Sequence, residues 1–244
     1  MWGLVMNSHT PLQVAAVAVD LDGTLIDTES EICLAVNATL AHCGRTALSA
    51  ANIVSLTGQG TRKLIESALN VSLPLPAGPA AIAIGAAQHV DQAVDLFKSV
   101  YKRVLGTQAR LYPGVLDGLD LLKKKALPTA CVTNKGAQDA DYLLEQLGIR
   151  HFFDHLIAPA TMSERKPSPY LLRKACQLLN VSPENLVLIG DSNNDVMAAR
   201  AAGVSVIRLD TGYERHALFK QRADLNYAGF LQAAQAVEAR PHIG

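Results

Sequence analysis

Cysteine is scarce in this 244-residue chain: Cys33, Cys43, Cys131 and Cys176 are the full set, and no two stand in a CxxC spacing. Cys131 and Cys176 fall in apolar periodic segments, where small buried thiols are common, so the cysteines read as reduced and the protein as intracellular. No charge of one sign predominates. Lysine plus arginine and aspartate plus glutamate number 22 each, which provides no basic field for a phosphate backbone and argues against nucleic acid as a general partner. Long hydrophobic runs are missing too: the longest small-apolar stretch, Ala77 to Ala87, is interrupted by glycine and proline. It falls well short of the roughly 20 residues that span a bilayer. The opening MWGLVMNSHT has neither a charged leader region nor a small-residue cleavage site after a long apolar stretch, so no signal peptide is expected and Met6 is a second candidate start. The expectation is a cytoplasmic protein with no membrane partner.

What is present is apolar and periodic. Hydrophobic residues make up 49% of the chain, enough to bury a sizeable core in one large domain or a domain with an insert. From about Leu111 onward, short apolar runs alternate with helical patterns: LPTACVTN, HLIAPA, NLVLIGD and VSVIRLD read as buried strands, and VAAVAVD (Val14 to Asp20) as one more, far from them in sequence. Such alternation predicts βαβ units, hence an α/β fold with a parallel sheet covered by helices. Thr28 to about Gly106 carries no strand pattern. Thr28-x-x-Glu31 has the spacing of a capping box, and NIVSL, RKLIESAL and HVDQAVDLFKSVYKRVL continue the helical reading. The expected division is a core of residues 1–27 and 107–244 with a helical insert at 28–106, and VSLPLPAGPAA (Val71 to Ala81) as a loop inside that insert.

Chemistry concentrates where the strands end. Asp20 and Asp22 follow a buried strand, and positions i and i+2 of an extended chain face the same side, so both carboxylates point at one small volume. Gly23 relieves the backbone there and Thr24 offers a hydroxyl to fix a carboxylate. Asp-Gly is also a common surface turn, which leaves this pair open when it stands alone. A second cluster weighs against that: LVLIGDSNNDV ends a strand at Gly190, then supplies Asp191 and Asp195. In open α/β sheets ligands bind beyond the carboxyl ends of strands, so the two clusters can share a crevice. Oxygen-rich ligands without thiolates or a histidine cluster suit Mg²⁺. His151 and His155 flank FFD near a strand start and are not read as ligands. Thr133 and Asn134 follow another strand, and Lys166 lies in SERKPSPY after HLIAPA. A hydroxyl, backbone amides and an ammonium beside a metal are what a phosphoryl group requires. In the helical insert, Gly58 and Gly60 form a GxG turn, and Arg62 just beyond is the candidate cation for a substrate carboxylate.

The ordered strings DLDGT, VTN, RKP and GDSNND resemble the motifs of the haloacid dehalogenase (HAD) superfamily, and the resemblance runs over nearly the whole chain. It implies a Rossmann-like core, with helices on both faces of the sheet, and an inserted α-helical cap after the first motif. By the same resemblance Asp20 is the nucleophile that forms an aspartyl-phosphate, and Asp22 the acid and base. Mg²⁺ is held by the Asp20 carboxylate, the Asp22 backbone carbonyl and Asp191. Thr133 and the Asn134 amide hold phosphate oxygens, Lys166 neutralises charge, and Asp195 orients metal-bound water or Lys166. The presence of Asp22 disfavours a dehalogenase, and Thr24 disfavours the sugar phosphomutases, which commonly have valine there. LTGQG, LYPGVLDGLDLLKKKALPTACVTNK and DTGYERH resemble phosphoglycolate phosphatases, although VTNKG and TGYERH depart from that group's strings. The implied substrate is a small phosphorylated metabolite, with 2-phosphoglycolate first and muramic acid 6-phosphate, sugar phosphates and pyrophosphate as alternatives. A β-phosphoglucomutase-like phosphotransferase is the other alternative. Arg208 and Tyr213 are further candidates for the pocket rim, and a monomer or homodimer is expected.

Overall fold

The computed structural model describes residues 11–58, 60–75, 86–212 and 222–240, and side chains outside 86–89 within them. The chain-start expectations, the second half of the Val71 to Ala81 loop, and Tyr213 lie outside these residues.

Six parallel strands form the central sheet in the order β6 (His155–Ile157), β5 (Thr129–Val132), β2 (Ala16–Val19), β7 (Leu186–Gly190), β8 (Ser205–Leu209) and β9 (Leu225–Tyr227). Side chains alternate across a strand, and the sequence uses both directions. Val17 and Val19 of β2, with Val187, Ile189, Ile207 and Leu209, pack on α5 (Val115–Lys124), α6 (Ala137–Gln146) and α9 (Phe230–Gln235). Ala16, Ala18 and Ala130 belong instead to the cluster containing α7 (Tyr170–Leu179) and α8 (Asn193–Ala202). Both faces are therefore buried, which explains why these strands read as continuous apolar runs rather than as alternating ones. Each fully buried Val, Leu or Ile contributes about 1.5–3 kcal/mol relative to exposure.

Two short strand pairs flank this sheet. β1 (Leu12–Val14) runs parallel to β10 (Val237–Ala239), and β3 (Ile26–Asp27) is antiparallel to β4 (Arg110–Leu111). The second pair marks where the chain departs into α1 (Glu29–His42), α2 (Ala50–Ser55), α3 (Thr61–Val71) and α4 (Ala86–Val104), and where it returns. Ala35, Val36, Leu64, Ile65, Val94 and Phe97 of these helices join the same apolar cluster as Val17 and Val19.

The expected capping box at Thr28 does not form. Thr28 stands at the N-cap of α1 without a side-chain capping bond; its hydroxyl donates to Asp22 Oδ1 at 2.7 Å. Glu31 is buried and accepts from the backbone N–H groups of Gln108 and Ala109 at 2.8 and 2.9 Å. Partners distant in sequence outcompete the local ones, and they tie the start of the helical segment to its end. No described helix is long and apolar enough to cross a membrane.

Candidate active site

The centre of the sheet positions the site. β5, β2 and β7 are neighbours, so the residues after their carboxyl ends, Thr133, Asp20 and Asp191, emerge side by side. Asp20 continues the ladder through its N–H to the Ile189 carbonyl at 2.9 Å. Backbone geometry beyond it is specialised: Gly23 has φ +85°, and a Cβ there would stand 2.4 Å from an Asp191 carboxylate oxygen. A Cβ on Gly212 would press on the same Asp191 oxygen. Only residues without a side chain allow Asp191 to occupy this place. Its carboxylate also accepts from the Thr24 hydroxyl at 2.9 Å, the role the sequence suggests for that hydroxyl.

Lys166 reaches in from the loop after β6. Its ammonium is 2.8 Å from Asp20 Oδ1, 2.6 Å from Asp195 Oδ1 and 2.9 Å from the Val132 carbonyl, which uses all three of its donors. The side chains of Lys166 and Asp195 are each only 1% exposed. Burial by itself lowers a lysine's proton affinity, but the carboxylates of Asp195 and Asp20 outweigh it and hold Lys166 above the ordinary lysine value. For Asp20 the balance runs the other way. Burial and then repulsion from Asp195 push its carboxyl up to about 7, against the pull of Lys166. Asp195 also accepts from the Ser192 N–H and hydroxyl at 3.0 and 2.5 Å, closing a capping box at the start of α8. Helix cap and lysine anchor are thus one residue.

Asp22 faces a second ammonium that sequence reasoning missed. Lys135 Nζ lies 3.0 and 2.9 Å from the two Asp22 carboxylate oxygens and donates to the Tyr101 hydroxyl at 2.8 Å. Tyr101 comes from α4 and stacks on Phe97, with ring centroids 5.5 Å apart. Burial chiefly raises the Tyr101 phenol to about 12, so it stays protonated. Although burial works against it, Asp22 and Tyr101 keep Lys135 charged above the usual lysine value. The signal in the sequence is slight: Lys135 directly follows VTN, and a lysine there otherwise reads as solvated.

These groups line a cleft of about 360 Å³ between sheet and helices, together with Thr133, Asn134, Gly58, Gly60, Arg165 and Asn194. Gly58 and Gly60 take φ +92° and +91°, and the Gly58 carbonyl accepts from the Asn194 side chain at 2.9 Å. The Asn134 side chain pairs with the Lys166 backbone through two bonds of 2.9 and 2.8 Å, which ties the loop after β5 to the lysine. Arg62 requires correction as the carboxylate receptor. It is half-exposed and ion-paired to Glu66 and Asp91, and it is not among the cleft-lining residues. A surface acid one helix away satisfies it more cheaply than a desolvated site could. Arg208 is likewise engaged elsewhere, by Asn226 and Asp210 at 3.0 and 2.7 Å.

The donor set fits a hard divalent cation. Carboxylate oxygens of Asp20, Asp191 and Asp195 lie within 4.8 Å of one another, all buried. Burial first, and then the neighbouring Asp195 carboxylate, disfavour the charged form of Asp20, and a bound cation would oppose both. The Asp22 side chain, by contrast, is occupied by Lys135 and Thr28.

A parallel sheet with acids at adjacent strand ends and a buried lysine opposite defines a hydrolase of the HAD type. Residues 17–209 match the family model described as haloacid dehalogenase-like hydrolase, and the chain belongs to that family. Among its relatives is the phosphoglycolate phosphatase of Chromobacterium violaceum, 38% identical over 201 residues, 82% of this chain and 86% of that one. That of Thiobacillus denitrificans is 35% identical over 205 residues, covering 84% and 87%. In structure the chain resembles a predicted phosphoglycolate phosphatase from Haemophilus somnus, with a TM-score of 0.82, 26% identity, and coverage of 91% and 97%. Fold and relatives together make the chain an enzyme of the phosphatase kind.

Proposed function

We propose that the protein is a cytoplasmic, Mg²⁺-dependent phosphomonoesterase that works through an aspartyl-phosphate on Asp20, with 2-phosphoglycolate as its preferred substrate. The observation that carries this reading is the placement of Asp20: held by Lys166 at 2.8 Å, within ligand distance of Asp191, at the floor of the cleft. Asp20, Asp191 and the Asp22 carbonyl would hold the metal, which when bound supplies positive charge to the phosphoryl oxygens. Thr133 and the Asn134 amide would hold the other phosphoryl oxygens. An Asp20 oxygen attacks phosphorus, the bond from phosphorus to the ester oxygen breaks, and Asp22 gives the departing oxygen a proton. Water then attacks phosphorus, Asp22 takes its proton, and the bond to Asp20 breaks to free inorganic phosphate. Lys135 and Thr28 keep the Asp22 carboxyl aimed at that volume.

In this reading residues 28–106 act as a cap over a core of 1–27 and 107–244, and the Gly58 and Gly60 loop helps to select the leaving group. The names of the relatives and a cleft volume suited to a small metabolite support phosphoglycolate as the first choice. The test is phosphate release from 2-phosphoglycolate, muramic acid 6-phosphate, sugar phosphates and pyrophosphate, with Mg²⁺ and with excess EDTA. Fastest, EDTA-sensitive release from 2-phosphoglycolate is expected. Undiminished release in EDTA, or isomerisation of a sugar phosphate without phosphate release, contradicts the proposal.

A further inference from the structure

The cations that face the cleft are not equivalent. Lys166 is committed to Asp20 and Asp195, Lys135 to Asp22 and Tyr101, and Lys98 to Asp95 at 3.1 Å. Lys102 also lines the cleft but is exposed. Arg165 differs from all of them. It is partly buried in the cleft wall, and among the described residues no carboxylate pairs with it. Its one hydrogen-bond acceptor there is a backbone carbonyl, that of Asn134, at 2.9 Å from Nη1. Its Nε is shielded from solvent and has no acceptor at all. Burial lowers its proton affinity with no carboxylate to oppose the shift.

Its surroundings place it between the two halves of a bound ester. On one side Arg165 is bonded to Asn134, beside the amide assigned to phosphate, and it directly precedes Lys166. On the other side lies the helical segment's glycine turn: a Cβ on Gly60 would stand 3.0 Å from Nη1 and 3.4 Å from Cζ. A guanidinium at this boundary, partly desolvated and without an acid partner, is suited to a planar anion.

We propose that Arg165 is the specificity-determining residue of the site, receiving a carboxylate carried by the leaving group next to the ester oxygen. The proposal rests on the phosphomonoesterase reading above and extends it to phosphomonoesters with a second anionic group. It also gives Gly60 a function, since a side chain there would press on the guanidinium that the substrate must reach.

The test compares 2-phosphoglycolate with p-nitrophenyl phosphate, which has no carboxylate, in the parent enzyme and in Arg165→Gln and Arg165→Lys. The ratio of the two kcat/KM values is expected to fall about 10- to 100-fold in Arg165→Gln, mainly through KM for 2-phosphoglycolate, and to recover in part in Arg165→Lys. Taking a ratio removes any general loss caused by disturbing Asn134. An unchanged ratio, with both substrates slowed alike or neither slowed, overturns the assignment while leaving the phosphatase reading intact. Parent enzyme that releases phosphate from neither ester refutes that reading, and this proposal with it.

Discussion

Lys135 spans both carboxylate oxygens of Asp22, at 3.0 and 2.9 Å, while its third donor reaches the Tyr101 hydroxyl at 2.8 Å. Lys135 belongs to the loop after β5 and Tyr101 to α4, so this ammonium joins the helical segment directly to the residue assigned to proton transfer. A displacement of α4 must therefore be felt at Asp22.

Replacing Lys135 by methionine releases Asp22 from its fixed orientation while retaining the stem's apolar contacts. The expected result is a kcat about 10- to 100-fold lower, with a smaller change in KM, since a misplaced acid costs the chemical step more than binding. Tyr101→Phe should lower kcat in the same direction by less. Steady-state kinetics on 2-phosphoglycolate check both, and a kcat equal to the parent's in Lys135→Met counts against the role given to this contact.

Lys166 pairs with two buried carboxylates at once. Lys166→Met strands Asp20 and Asp195 out of water, and the loss of one partner from a buried ion pair costs about 3–5 kcal/mol. Urea unfolding of the metal-free proteins should show a destabilisation of that order at neutral pH. A variant as stable as the parent would mean that the carboxylates are hydrated and the buried cluster is wrongly described.

Burial and then Asp195 push the folded-state Asp20 carboxyl up to about 7, against about 3.9 in an unfolded chain. A carboxyl raised in the fold binds its proton more tightly there, so its stabilising contribution is complete below about pH 4 and is lost as pH rises toward 7. At pH 8 the ionised Asp20 is a liability to the metal-free protein. Thermal melts in EDTA should thus find Asp20→Asn more stable than the parent at pH 8, with the difference shrinking toward pH 5. A difference that grows on acidification has the wrong sign for this account.

Gly23→Ala combines a positive φ with a methyl placed 2.4 Å from Asp191. The backbone cost alone is about 1–2 kcal/mol, and the carboxylate has to move. Mg²⁺ titrations followed by calorimetry should show weakened binding in this variant, and parent-like affinity would separate Asp191 from the metal site.

The sheet was legible because strands buried on both faces leave unbroken apolar runs, and its chemistry because D-x-D, VTN and GDSNND each stop such a run at a carboxyl end. The β1–β10 and β3–β4 pairs escaped notice, since two or three residues carry too little pattern to distinguish a strand from a loop. Thr28 and Glu31 misled for another reason: their spacing is that of a cap, but Asp22 and the amides of Gln108 and Ala109 claim their side chains. The role expected of Arg62 passes, in our proposal, to Arg165, which the sequence did not single out, on the same principle. A guanidinium's partner is fixed by which elements pack together, and a one-dimensional reading sees Asp91 near neither and Gly60 near only one of them.

Locating the transferred phosphoryl group tests the central claim most directly. Enzyme mixed with 2-phosphoglycolate and Mg²⁺, quenched in acid within one turnover and digested, should yield a phosphorylated peptide modified at Asp20. The same peptide should be unmodified in EDTA, and the corresponding peptide unmodified in Asp20→Asn. Phosphate found on another residue, or an Asp20→Asn enzyme that turns over at the parent rate, would contradict the account.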